Sequence, residues 1–323
     1  MYTCMEAFCE KGLFYGKNVA CGITGPVTHR GARALILDEQ GGSELFNNHL
    51  FHFLECMIVL FTGIVWRGWE LGSIDTIVMV SFRDATWMGK KTRHNHDIVR
   101  MLFPNVVNFC TRSDRVVCDE ALYADRYLCD TGTVNKMFLK YARTFPRYLW
   151  CSAVFAGQQR PPPRRRDALR VVYVNRQGAD RRRLDDDAAM LHALHTCGFC
   201  DVTDVRMEDV PFAEQIATVA DADVLIGVHG NGLSHAMFMR PERYVIELFA
   251  GDYVWDYQMM CKCMGHEYFL MQDGGLRSHA LNMGCGAGAK PGDVVTVDVS
   301  GLMKVMAYIK ECELSTLGPT RMS

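Results

Sequence analysis

Residues 223–248 read D-V-L-I-G-V-H-G-N-G-L-S-H-A-M-F-M-R-P-E-R-Y-V-I-E-L, and this stretch decides the fold. Residues 224–228 form a short, almost wholly apolar run that breaks at His229-Gly230-Asn231-Gly232, and a second apolar run follows at 244–248. Short apolar runs bounded by glycine read as buried strands, so the order is strand, Gly-rich turn, helix start, strand. Gly230 and Gly232 remove side chains that would hold a ligand off the backbone, and Ser234 or Asn231 is placed to cap the helix. Such a turn offers free N–H groups and the positive end of a helix to an anion. Two glycines also serve simply to make a tight turn. Position favours the ligand reading, because ligands in open α/β sheets sit outside the carboxyl ends of the strands, where this turn falls.

Upstream, residues 170–175 (R-V-V-Y-V-N) form a strand with Arg176-Gln177 at its carboxyl end. Arg181-Arg182-Arg183 follows, then acids at 185–187 suited to a helix start, with Met190, Leu191, Leu194 and Cys197 at helical spacing. A strand over 199–205 and a helix over 211–220, opened by Pro211, lead into the opening stretch. The succession β-α-β-α-β predicts a parallel, doubly wound domain. Arg176, or an arginine of 181–183 such as Arg181, suits bidentate pairing with a diphosphate, and Glu247 suits both hydroxyls of a ribose. The triple arginine also reads as a solvated turn. Asp221-Ala-Asp223 has the form of a metal-binding acid pair but precedes its strand, away from the ligand end, so no essential metal is expected.

In the first half, residues 34–37 and 76–81 read as strands, and 105–109 and 115–118 as short β-rich runs. Residues 44–66 are apolar enough for a buried helix, interrupted by Asn48, His49, His52 and Glu55. Spacings of three and four place Asn48, His52 and Glu55 on one face. One reading makes His52 a satisfied core histidine and Glu55 an edge residue. The other opens this face on a cleft, with one of the two as general base. His94-Asn95-His96, in a polar, basic stretch, reads as loop. Strands alternating with helical segments predict a second α/β domain. Three prolines followed by three arginines within 158–167 favour extended, solvated backbone, so the boundary falls there. The expected domains are 1–157, a linker over 158–168, a nucleotide-binding domain over 169–299, and a terminal helix and tail over 300–323.

With 323 residues, 49% hydrophobic and 22% charged, the composition is that of a globular protein of roughly two domains. A net charge of -2 gives no electrostatic reason to expect nucleic acid or an anionic membrane as partner. The 14 cysteines permit some disulfides without requiring any. Cys197, Cys200, Cys261 and Cys263 match no common zinc spacing. Residues 1–10 show no signal-peptide pattern, 56–66 is too short to span a membrane, and no Asn-x-Ser/Thr acceptor occurs.

Taken together, several of these segments resemble glycosyltransferase family 61. The resemblance is carried by V-N-R-Q-x-x-x-R-R at 174–182, E-Q-I at 214–216, G-V-H-G-N-G-L-S-H at 227–235, V-I-E-L at 245–248 and W-D-Y at 255–257. It is closest in motif to fungal members. More loosely, N-x-x-x-H at 48–52 and V-V-C-D-E-A at 116–121 fit the family's first half. Many members carry an acid four residues after that histidine, where Cys56 stands here, which favours His52 over Glu55. The resemblance implies a GT-B fold, two Rossmann-like α/β domains facing across a cleft. It implies an inverting, metal-independent transferase without a cofactor, moving xylose or N-acetylglucosamine from a UDP-sugar to a glycan or protein hydroxyl. The implied donor-site residues are Arg176, Arg181, Gln215, His229, Gly230, Asn231, Gly232, Leu233 and Glu247, with His52 or Glu55 as base and Asn48 on the acceptor side. It also implies the lumen of the Golgi or ER, although the chain shows no anchor. Two rivals are a catalytically inactive nucleotide-sugar-binding relative and a dinucleotide-dependent Rossmann enzyme. The second lacks a G-x-G-x-x-G after an early strand.

Overall fold

The computed structural model describes residues 3–7, 13–22, 26–38, 50–80, 93–111, 113–125, 168–251, 256–272, 275–277 and 294–315. The chain divides into two compact units, Met1–Ser152 and Ala153–Ser323. The Pro/Arg run at 158–167 lies outside the described residues.

In the first unit, β1 (Thr3–Ala7), β2 (Leu13–Gly22), β3 (His29–Asp38), β4 (Thr76–Met79), β5 (Asn108–Thr111) and β6 (Arg115–Asp125) form one sheet in the order β1-β2-β6-β3-β4-β5. β1, β2 and β6 pair antiparallel, while β6, β3, β4 and β5 run parallel. Helix α1 (Leu50–Arg67) packs on β6 and β2 through buried Phe53, Leu54, Met57, Leu60 and Ile64. Gly63 permits that close approach, since a Cβ there would meet Leu122 Cδ2 at 2.9 Å. The helix ends where Arg67 stacks 3.8 Å over the Tyr15 ring. Tyr15 also donates a 2.6 Å hydrogen bond to Glu120, whose other oxygen accepts from Arg33 at 2.9 Å.

The structure corrects one expectation in this unit. His94-Asn95-His96, read as loop, lies in helix α2 (Arg93–Leu102). Asn95, Ile98, Val99 and Leu102 recur at three and four and are all fully buried, an amphipathic period that the basic composition disguised. His96 sits against the Phe109 ring at 5.0 Å.

The second unit is a doubly wound sheet. β7 (Leu169–Val174), β9 (Cys200–Val205), β10 (Val224–Val228), β11 (Tyr244–Phe249), β12 (Glu267–Gln272) and β13 (Gly275–Arg277) lie in the order β13-β12-β11-β10-β7-β9, and a short pair, β8 (Arg183–Leu184) with β14 (Val294–Val295), stands apart. All neighbours in the large sheet are parallel except β12 and β13. Every residue of β10 and β11 is buried, as expected of parallel strands covered on both faces, and this explains their unbroken apolar runs. On one face, Val171, Tyr173, Val224, Ile226, Ile246 and Leu248 pack with Met190 and Leu194 of α3 (Asp187–Thr196) and with Leu302, Met306 and Ile309 of the terminal helix. Asp186 caps α3 by accepting from Ala189 N at 3.1 Å, so the acids at 185–187 do start a helix. On the other face, α4 (Phe212–Ala220) and α5 (Asp256–Met264) flank a 3-10 helix, Asn231–Phe238, whose Leu233 seats against Gly227. The terminal helix is α6 (Val299–Ser315). No helix among the described residues is long and apolar enough to cross a membrane.

Candidate functional site

From β7 the chain passes to β9 on one side, then returns through α4 to β10 on the other, so the winding reverses between β7 and β10. A crevice opens outside the carboxyl ends of two such strands. Here those ends are Asn175-Arg176 and His229-Gly230.

Each side of this crevice is built by specific local contacts. Buried Asn175 accepts from Gln177 N at 2.8 Å and donates to Asp204 at 3.2 Å, which fixes the turn that carries Arg176. The Arg176 guanidinium lies directly over Gly230, where an added Cβ would stand 2.6 Å from Nη1. Gly230 has φ 152 and ψ 177, a region open essentially to glycine alone. Gly232 serves packing instead, because a Cβ there would meet Val174 Cγ1 at 2.5 Å. The glycines of the turn thus have separate purposes: one clears a cation, the other lets the 3-10 helix lie on β7.

Arg176 is the electrostatic centre of the crevice. Its Nε is buried and makes no hydrogen bond among the described residues. Burial first, then the nearby Arg182 charge, push its pKa below the ordinary arginine value. Tyr257 and Glu208 offset only part of this, so the site keeps a positive potential that an anionic ligand would relieve.

Opposite it, His229 Nδ1 lies 2.5 Å from Glu247 Oε1, while the Tyr268 hydroxyl donates to Glu247 Oε2. Glu247 is 0% exposed, so its carboxylate is committed inside the protein. The His229 ring is held edge-on between Phe249, at 4.9 Å, and Tyr257, at 5.1 Å. Deeper in, His235 places Nδ1 2.9 Å from Gly232 O and Nε2 2.7 Å from Gln215 Oε1. Burial pushes its pKa down to about 4. The neutral ring carries one N–H, so it satisfies one of these two acceptors at a time. The Gln215 amide nitrogen donates to Met207 O at 2.7 Å and Val210 O at 3.0 Å, tying the turn before α4 to the 3-10 helix.

The predicted residues therefore separate by position. Arg176, Gly230 and Gly232 meet at the crevice, and His229 stands beside Gly230 braced by Glu247. Gln215 and Leu233 point into the protein, Leu233 with 0% exposure. Asn231 accepts from Ser234 Oγ at 3.3 Å, and neither side chain caps a helix; the expected α-helix start is a 3-10 turn closed by Leu233 N to Gly230 O at 2.9 Å. Arg181 is exposed, and it is the charge of Arg182 that reaches Arg176. Asp221 is engaged by Arg170 and Arg240, and Asp223 by Arg170 N, at the opposite end of β10. His52 and Glu55 lie on α1, with their side chains outside the described residues, and Asn48 falls outside them altogether. Sequence reasoning gave no role to Tyr268, which belongs to a strand found only by its pairing with β11. Tyr257 was visible in the W-D-Y segment, but its place against the His229 ring was not.

Comparison with known proteins adds what geometry alone does not. The glycosyltransferase 61 family model matches residues 50–246, more than half of the chain. The chain belongs to glycosyltransferase family 61. An EGF domain-specific O-linked N-acetylglucosamine transferase of Drosophila melanogaster is 34% identical over 88 residues, covering 27% of this chain and 16% of its own length. A protein of the same description from Gallus gallus is 30% identical over 83 residues, covering 25% of this chain and 15% of its own. The matched region thus spans a small fraction of these relatives. Among solved structures, a phosphoglycerate oxidoreductase from Vibrio cholerae covers 88% of this chain and 98% of its own, at a TM-score of 0.20 and 11% identity, a likeness too slight to carry an argument. The family 61 match includes α1, β7, the Gly-rich turn and the first half of β11, and a family 61 domain is a glycosyltransferase domain.

Proposed function

We propose that this glycosyltransferase uses a UDP-sugar, with xylose or N-acetylglucosamine as the sugar, and transfers it with inversion to a hydroxyl of a glycan or glycoprotein without a metal. One observation carries the reading: the partly buried guanidinium of Arg176, its Nε without a hydrogen bond among the described residues, at the switch point and fitted over the bare Cα of Gly230. That arrangement suits a diphosphate, which Arg176 would hold bidentately while the backbone of the 230–232 turn meets its remaining oxygens. With Nδ1 given to Glu247, His229 retains Nε2 for the ligand. Glu247, Tyr268, Gln215 and His235 brace these groups, so Glu247 acts through His229 instead of gripping a ribose.

In the proposed reaction the acceptor hydroxyl gives its proton to His52 or Glu55 of α1 and attacks the anomeric carbon. The new C–O bond forms as the bond to the diphosphate breaks, and UDP leaves with the charge that Arg176 neutralises. A GT-B arrangement and a Golgi or ER lumen setting belong to the same reading, supported by family membership. Release of UDP from UDP-xylose, UDP-N-acetylglucosamine and related donors tests it directly. Turnover of one donor is expected. UDP binding with no turnover of any donor would leave an inactive relative, and no UDP binding would remove the site assignment itself.

A further inference from the structure

We propose that the first unit holds a zinc ion on His29, Cys110 and Asp114, residues that the glycosyl-transfer reading does not use. His29 opens β3, Cys110 lies in β5 and Asp114 sits in the turn from β5 to β6. Their ligand atoms all fall within 4.8 Å of one another, the one such grouping of His, Cys and acidic side chains among the described residues.

Neighbouring contacts orient His29 and Asp114. Thr28 N donates to Arg115 O at 2.9 Å and Arg115 N donates to Thr28 Oγ1 at 2.9 Å, a reciprocal bridge that seats His29 beside Asp114. Thr111 donates to Asp114 Oδ2 from its backbone N at 2.8 Å and its hydroxyl at 3.1 Å, leaving Oδ1 toward His29. The ligating carboxylate is therefore oriented from behind, as outer-shell partners orient metal ligands. The His29 Nε2 to Asp114 Oδ1 separation is 3.5 Å. That is too long for a good hydrogen bond. It is close to the roughly 3.3 Å between nitrogen and oxygen ligands on a tetrahedral zinc, given bonds of about 2.0–2.1 Å.

The chemistry of the set selects the metal. Thiolate, imidazole and carboxylate together suit zinc, whereas magnesium and calcium take oxygen alone. Cys110 is 0% exposed and packs with Val19, Val116 and Cys118, a dry wall behind the sulfur. His29 and Asp114 keep 34% and 28% of their side chains exposed, so the fourth ligand is water entering from that side. The partial exposure also lets His29 and the Asp114 turn close the longest edge by about an ångström, as tetrahedral distances require. On binding, Cys110 releases its thiol proton to solvent. The ion would pin the β5–β6 turn to the start of β3.

The test uses the full chain, stripped with EDTA and titrated with zinc alone against a chromophoric chelator. Equimolar zinc should bind, and His29→Asn and Cys110→Ser should each weaken it by about 100-fold or more. Cobalt in place of zinc should show a thiolate-to-cobalt charge-transfer band that His29→Asn weakens and Cys110→Ser abolishes. Because His29 is partly exposed, its variant should fold even if Cys110→Ser does not, and circular dichroism checks both. Absence of stoichiometric zinc, or binding unchanged by His29→Asn, overturns the proposal.

Discussion

At the scale of single residues, Arg176 sets stability against binding. Its guanidinium is partly buried and its Nε makes no hydrogen bond among the described residues, so Arg176→Ala should leave the melting temperature unchanged or slightly higher. The same substitution should weaken UDP by about 10- to 100-fold, and Arg176→Lys should restore only part of it, because lysine cannot pair bidentately. Calorimetry with UDP, beside a thermal melt, reads both effects, and unchanged UDP affinity in Arg176→Ala would contradict the assignment. Glu247 behaves oppositely. With both oxygens committed to His229 and Tyr268 and no exposure, Glu247→Gln should cost about 2–4 kcal/mol of stability, read by urea unfolding. A variant as stable as the parent would show that this buried network is dispensable.

At the scale of elements, the turn after β10 separates two glycines that look alike in sequence. Gly230→Ala strains a backbone that only glycine adopts, by about 1–3 kcal/mol, and drives its methyl into Arg176. Gly232→Ala instead presses on Val174, a stiff β-branched side chain, at a similar cost of about 1–3 kcal/mol. Both should lower stability, but UDP affinity should collapse only in Gly230→Ala. Equal losses of affinity would mean that the turn acts as a single unit. The same turn shows what the sequence concealed. The strands on either side were legible because parallel, doubly covered strands are apolar without a break. The 3-10 geometry between them was not, since its i to i+3 bonding depends on how closely Gly232 and Leu233 approach β7 and Gly227. Helix α2 escaped for another reason: its buried face consists of four residues set among arginines and histidines.

At the scale of the whole molecule, acid should loosen the second unit through His266. Its Nδ1 accepts from Arg243 N at 3.0 Å and its Nε2 donates to Ala236 O at 3.0 Å, a pairing that only the neutral ring can make. Burial pushes its pKa down to about 4. The unfolded chain therefore takes up this proton first, so the stability due to His266 is full above about pH 6.5 and is lost as pH falls toward 4. The shift corresponds to about 3 kcal/mol. His235 is similarly depressed, but protonation there supplies a second donor for its two facing acceptors and offsets part of the penalty. Urea unfolding between pH 4 and 7 should show a much flatter profile for His266→Gln than for the parent, and an unchanged slope would place the acid sensitivity elsewhere. The site was legible at this scale only in part. Arg176 and Gly230 could be brought together by reading the strand order, whereas the embrace of Glu247 by His229 and Tyr268 required knowing which strand lies beside β11.

Strand β9 bears on how the molecule behaves in company. It is the outermost described strand on its side of the large sheet, and Asp201, Thr203 and Asp204 on it are exposed. Unpaired strand margins invite growth into fibrils, and acidic side chains along them repel a second copy. Replacing Asp201 and Thr203 with valine should therefore leave UDP affinity intact while raising light scattering as concentration increases. Asp201, which takes no part in the crevice, would then help keep a crowded solution of this protein clear.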